Sequence, residues 1–217
     1  MVLFKKKFSI MVLINKFKLV VNRFFRFFIN MKNRKKLKNK DICLISSNCN
    51  GCLILHDLGL KYNSPFVNLY IEAKDYIKLL KDFSGYMSLS IKFTDDIESP
   101  YPIAMLGDIF LHCVHYKSKE DFLNKWNERK KRMNNSNLYI LFTDRDGCTY
   151  DILRDFDSLP FKNKIVLTKS VYKDIKSSIH ISGFENDESV GNLYEYKGWN
   201  GIKYYDDFDY VNWFNQD

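Results

Sequence analysis

Apolar and polar positions keep two different rhythms along this chain, and the change falls near residue 40. Before it, bulky apolar residues return at helical spacing. Placed at about 100° per residue, Phe17, Val20, Val21, Phe24, Phe27 and Phe28 gather on one side, with Lys16, Lys18, Asn22, Arg23, Arg26 and Asn30 on the other. An amphipathic helix is predicted there. After residue 40, short apolar runs of strand length alternate with helical segments. Strands are predicted over 42–45, 66–71, 87–93, 109–116, 138–142 and 164–168, with a short one at 179–182. Helices are predicted after the elbow at 46–51 and over 72–83, 118–133 and 149–157, with a small aromatic one closing the chain at 207–214. Ser118 followed by Asp121 resembles a capping box at the start of its helix. Strand and helix in alternation predict an α/β fold: a single domain with a mainly parallel or mixed sheet flanked by helices, preceded by the basic amphipathic helix. The expected division is residues 1–40 and 41–217. No Pro/Gly/Ser-rich linker and no internal repeat intervenes.

Charge sharpens that division. The net charge is +8, but 13 of the 34 basic residues and none of the acidic ones lie in the first 40 positions. The remainder carries 21 basic against 26 acidic side chains. The body is mildly acidic, so its chemistry does not read as nucleic-acid binding. In the leader the longest apolar run covers only residues 10–14, far below the ~20 needed to span a bilayer. A Phe-rich face backed by Lys and Arg is the pattern of a helix lying in the headgroup region of an anionic membrane. A helix docked on the domain's own surface and a nucleic-acid arm are the competing readings; the arm has less use for so many Phe, and nucleic acid is not the expected partner. Five cysteines at no framework spacing, with no cleavable signal pattern, point to a reducing cytoplasm. The expected location is peripheral, at the inner face of the cell membrane.

The candidate chemistry sits at two polar elbows that follow apolar strands. The first, Ser46-Ser47-Asn48-Cys49-Asn50-Gly51, leads into an apolar helix. A cysteine at a helix N-terminus meets the positive end of the dipole and free N–H groups, which favour a thiolate or an oxyanion. Cys49 is therefore the candidate nucleophile, His115 its base, and Asp108 or Asp146 the group that orients the imidazole, a set suited to acyl transfer or hydrolysis. Asn48, Asn50 and Gly51 are expected to contact the ligand. At the second elbow, Asp144-Arg145-Asp146, Arg145 is expected to hold an anionic group and Asp146 to join it, and paired carboxylates there also suit a divalent cation. Cys49 and Cys52 form C-x-x-C, the spacing of a redox dithiol, without the rest of a thioredoxin pattern. No zinc spacing accompanies it. His112 and His115 share a metal only on a helix, and the predicted strand points them to opposite faces. Arg129, Lys130, Lys131 and Arg132 cover more than a helical turn and read mostly as a solvated face. No metal is expected, and no Walker A loop, G-x-G-x-x-G or G-x-S-x-G is present to name a cofactor.

Several blocks in order, ISSNCNG, LGLKYNSPFVNLYIEAKDYIKLL, LGDIFLHCVHY, WNERKKRM, TDRDGC and FDYVNWFN, resemble the bacterial DUF1919 family over residues 40–215. The family's elbow is closer to SNNCWGG, which Cys49 matches while Ser47 and Cys52 depart from it. The resemblance implies an α/β fold and an association with exopolysaccharide and capsule biosynthesis loci. A glycan precursor or activated donor is thereby the implied substrate class, and a membrane-docked accessory protein of polysaccharide assembly the alternative.

Overall fold

A computed structural model describes residues 2–95 and 97–216, with side chains from Val12 onward. In chain order its elements are α1 (Val2–Lys36), β1 (Cys43–Ser46), α2 (Asn50–Leu58), α3 (Ala73–Lys81), α4 (Phe83–Ser88), β2 (Ile91–Thr94), β3 (Ile103–Leu106), β4 (Ile109–His112), α5 (Lys119–Lys130), β5 (Leu138–Thr143), α6 (Tyr150–Ser158), β6 (Lys164–Thr168), β7 (Ser178–His180) and α7 (Tyr210–Phe214). Four strands form a wholly parallel sheet in the order β1-β5-β6-β7. The others form a small antiparallel sheet, β2-β3-β4.

The strands read as continuous apolar runs because both faces of the parallel sheet are covered. Cys43, Ile45, Ile140 and Phe142 pack beneath α3, α5 and α6, against Tyr76, Phe122, Trp126 and Phe156. Their neighbours Leu44, Tyr139 and Leu141 face the other way, onto Ile54 and Leu58 of α2 and Trp213 and Phe214 of α7. Gly51 lets α2 lie close on the sheet. A Cβ there falls 2.6 Å from Ser46 Cβ, a distance no real contact tolerates.

One predicted strand is not a strand, and another is shorter than predicted. Residues 66–71 run as irregular chain whose Tyr70 makes a single bridge to His112, because Asn68 sits in the left-handed region at φ 62° and breaks the extended path. Their apolar pattern is real, since Phe66, Val67, Leu69 and Ile71 are all buried. The stretch predicted as a strand over 87–93 begins inside α4, which the Asp82 carboxylate opens by accepting the Gly85 N–H at 3.0 Å. β2 starts only at Ile91.

The amphipathic leader forms as predicted but docks the other way round. Asn22 and Arg26 are 0% and 4% exposed, while the Phe face looks outward. Arg26 donates to Asp57 at the end of α2 (Nε to Oδ2 2.9 Å), to Asp206 (Nη1 to Oδ2 2.5 Å) and to Tyr205 and Tyr210 (3.2 and 3.3 Å). Asn22 donates to the Gly198 carbonyl and accepts the Gly201 N–H, both at 2.8 Å. Gly201, at φ 76°, is required there, because a Cβ falls 2.6 Å from the Arg26 backbone nitrogen. Asn22 and Arg26 are thereby consumed by buried hydrogen bonds to Asp57 and to the far end of the chain. The division expected at residue 40 therefore falls after a helix whose second half belongs to the body.

Candidate functional site: a cleft at the carboxyl ends of β1 and β5

Because β1 and β5 are adjacent and parallel, the two elbows emerge side by side at one edge of the sheet, the crevice where ligands of open α/β sheets settle. Asn48 ties them together. Its Nδ2 donates to Thr143 Oγ1 at 2.7 Å and to Asp146 Oδ2 at 3.3 Å, and its Oδ1 accepts both the N–H and the side-chain amide of Asn50. A third wall is the irregular segment 68–71, pinned by Ile71 N–H on the Ser47 carbonyl (2.9 Å). The fourth is the loop at 190–194. Asp144 anchors it by accepting the N–H groups of Val190 (2.8 Å) and Lys169 (2.7 Å), and Arg145 Nη1 donates to Gly191 O and Asn192 Oδ1, both at 3.2 Å.

Between these walls lies a cavity of about 410 Å³. Cys49, His115, Asn48, Asn50, Arg145 and Asp146 all line it, so six residues singled out from sequence meet at one place. Tyr70, Val114, Asn192 and Tyr194 complete it. A larger hollow of about 680 Å³ between α4 and β5 has no cysteine or histidine in its lining. Among the described residues, the two non-glycine residues with positive φ are Asn68 and Asp146 (57°), and both stand at the cleft. Strain of this kind persists only where the surroundings enforce it, and it gathers at functional sites. Asn68 accepts the His115 N–H at 3.4 Å and the Cys52 thiol at 3.7 Å. The Asp146 carbonyl accepts the Ala73 N–H at 2.8 Å, where α3 begins.

Cys49 caps α2 at φ −68° and is half-buried, while Cys52 lies buried one turn on. The two thiols interact. The Cys52 thiol donates to the Cys49 carbonyl at 3.0 Å; the bond between the two thiols, with one from the Asn68 backbone N–H and the charge of Arg129, draws Cys52 below its ordinary range against the penalty of burial. The same bond, followed by burial, pushes Cys49 up. Among the described residues the polar partners of the Cys49 thiol are Cys52 and the Leu69 carbonyl (3.8 Å), not His115.

Three expectations need correction. Asp108 is not in this cleft. It sits in the exposed turn between β3 and β4, where it accepts from Lys78 Nζ (2.9 Å) and Tyr86 OH (2.5 Å), so it does not orient His115. Gly51 is a packing glycine beneath the elbow and does not line the cavity. Asp144 is spent on the loop and faces no ligand with Asp146. His112 and His115 do diverge: His115 is exposed at the cavity, whereas His112 stacks on Tyr70 (4.2 Å, 7°), and its burial lowers its proton affinity. Of the basic run, Arg129 is buried and donates to Tyr116 OH at 2.7 Å, a structural role rather than a solvated one.

Fold and cleft together define an α/β protein with a thiol, an imidazole, a guanidinium and a carboxylate converging at the end of a parallel sheet. The family is also clear. Residues 20–215 match the model of the domain of unknown function DUF1919, and the chain belongs to that family. The match begins inside α1, twenty residues earlier than the resemblance suggested, in keeping with the docking of its second half. A relative from Haemophilus influenzae strain Rd, described as an uncharacterized protein, is 46% identical over 200 residues, covering 92% of this chain and 97% of its own.

Proposed function

We propose that this protein is a transferase acting on a precursor of a cell-surface glycan, passing an acyl group through Cys49 with His115 as base. The observation that carries the reading is the convergence of Cys49, His115, Arg145 and Asp146 on one cavity, with Asp146 held at positive φ. The Cys49 sulfur attacks the donor's acyl carbon as its proton passes to His115, and the donor's leaving group departs with a proton from the imidazolium. An acceptor hydroxyl then gives its proton to His115, attacks the thioester and carries off the acyl group, restoring the thiol. Arg145 suits a phosphate or carboxylate of the donor or acceptor.

The raised thiol of Cys49 favours a second reading, in which the protein binds a glycan-assembly enzyme or intermediate without reacting. The two are separated in a strain lacking the gene, complemented with wild type, Cys49→Ala or His115→Ala, by the acyl content of its surface polysaccharide. The transferase reading expects loss of acylation in both variants at unchanged protein level. Unchanged acylation in Cys49→Ala removes it and leaves the binding reading.

A further inference from the structure

The face of α1 that a surface helix ordinarily buries is the one this helix exposes. Asn22, Arg26 and Asn33 bond to the body, and on a wheel of about 100° per residue their stripe lies opposite Phe24. Phe17 and Phe24 are 63% and 62% exposed, and Val20, Phe27 and Phe28 join them in one band. The band is ordered rather than loose, with Phe24 against Phe28 edge to face at 5.1 Å. The body extends it. Trp199 meets Phe17 at 6.2 Å and, with Leu13, Ile14 and Val20, walls an almost wholly apolar hollow of about 520 Å³. A contiguous exposed apolar surface of this kind marks a partner.

Charge says which partner. On the same wheel Lys16 and Arg23 border one edge of the band and Lys18 and Lys32 the other, and the helix contains no acidic residue. Two copies laid band to band bring like charges together along both edges. A lipid surface does the opposite, offering hydrocarbon to the band and phosphates to its edges. No helix among the described residues is long and apolar enough to cross a membrane, so contact is along the surface.

We infer that α1 and Trp199 form a rigid docking face for an anionic bilayer, the Phe band at the headgroup boundary and Trp199 at its rim. Because Arg26 staples the helix to the body, the face orients the whole domain on the membrane rather than tethering it loosely. This inference rests on α1 and Trp199 and is independent of the chemistry at Cys49.

The test is co-sedimentation of the full chain with vesicles of phosphatidylcholine alone and of phosphatidylcholine with phosphatidylglycerol at about three to one. The expected result is binding to the anionic vesicles, at least about tenfold stronger than to neutral ones and weakening with salt. The exposed triple variant Phe17→Ser/Phe24→Ser/Phe28→Ser, its melting temperature unchanged or raised, loses affinity by about a hundredfold. Lys16→Glu/Arg23→Glu/Lys32→Glu loses the preference for anionic vesicles. Absence of wild-type binding to either vesicle overturns the inference, as does a Phe variant that binds like wild type. So does a wild-type dimer that the Phe variant converts to monomer with no vesicle binding, which assigns the band to a second copy.

Discussion

The thiols of Cys49 and Cys52 act on each other, raising Cys49 and lowering Cys52, while the Cys52 thiol also donates to the Cys49 carbonyl at 3.0 Å. Cys49 is the one that faces the cavity, so its reactivity is restrained by the residue behind it. Replacing Cys52 by Ala removes the acceptor and its developing charge. Alkylation of Cys49 by a small iodoacetamide reagent, followed against pH, is expected to show a lower apparent pKa in Cys52→Ala than in wild type. His115→Ala is expected to slow the alkylation, because the proposed base for the Cys49 proton is gone. Identical profiles in all three proteins disconnect both neighbours from Cys49. The C-x-x-C spacing suggested a redox pair from sequence; the burial of Cys52 beside Asn68 makes it a tuning partner in the reduced protein.

At the scale of elements, most of what positions the cleft was legible. Strand 164–168, the cap at Ser118 and the start of the helix at 149 stand where spacing and capping chemistry put them. The alternation of strand and helix implied a mainly parallel or mixed sheet, and β1 and β5 are adjacent and parallel in it. Asn68, Tyr70, Asn192 and Tyr194 were not legible. Their segments have no regular structure, and they reach the cavity through long-range contacts such as Ile71 on Ser47 and Arg145 on Gly191. Asp108 misled because it precedes β4 and His115 follows it, so the strand's length separates them. The leader was legible in part. Its periodicity gave the two faces but not their assignment, since burying Arg26 depends on Asp57, Tyr205 and Asp206. Arg26→Ala is expected to cost about 3–5 kcal/mol, because it leaves Asp206 without its cation and takes from Asp57 one of its two. Urea unfolding measures this, and a loss below about 1 kcal/mol contradicts the staple.

For the whole molecule, the same cluster sets how it meets acid. Burial alone raises the Asp57 carboxyl, but Lys203, Tyr205 and Arg26 outweigh it and hold it at about 2 against an ordinary 3.8. A depressed carboxylate contributes stability that is fully present above the unfolded value and lost as pH falls through the folded one. The contribution is about 2 kcal/mol, lost between roughly pH 4 and pH 2. Urea midpoints from pH 6 to pH 2 are expected to fall more steeply over that window in wild type than in Asp57→Asn. Parallel curves assign the acid sensitivity elsewhere.

Apart from the bond to Asp57, the bonds that seat Asn22 and Arg26 span 175 to 184 residues, to Gly198, Gly201, Tyr205, Asp206 and Tyr210. In synthesis α1 is made well before those partners. The Asp57 contact comes early, but the rest of the polar stripe waits for residues 198–210, while the Phe band is complete by Phe28. The order of synthesis therefore exposes the apolar side of α1 before its polar side can be fully seated.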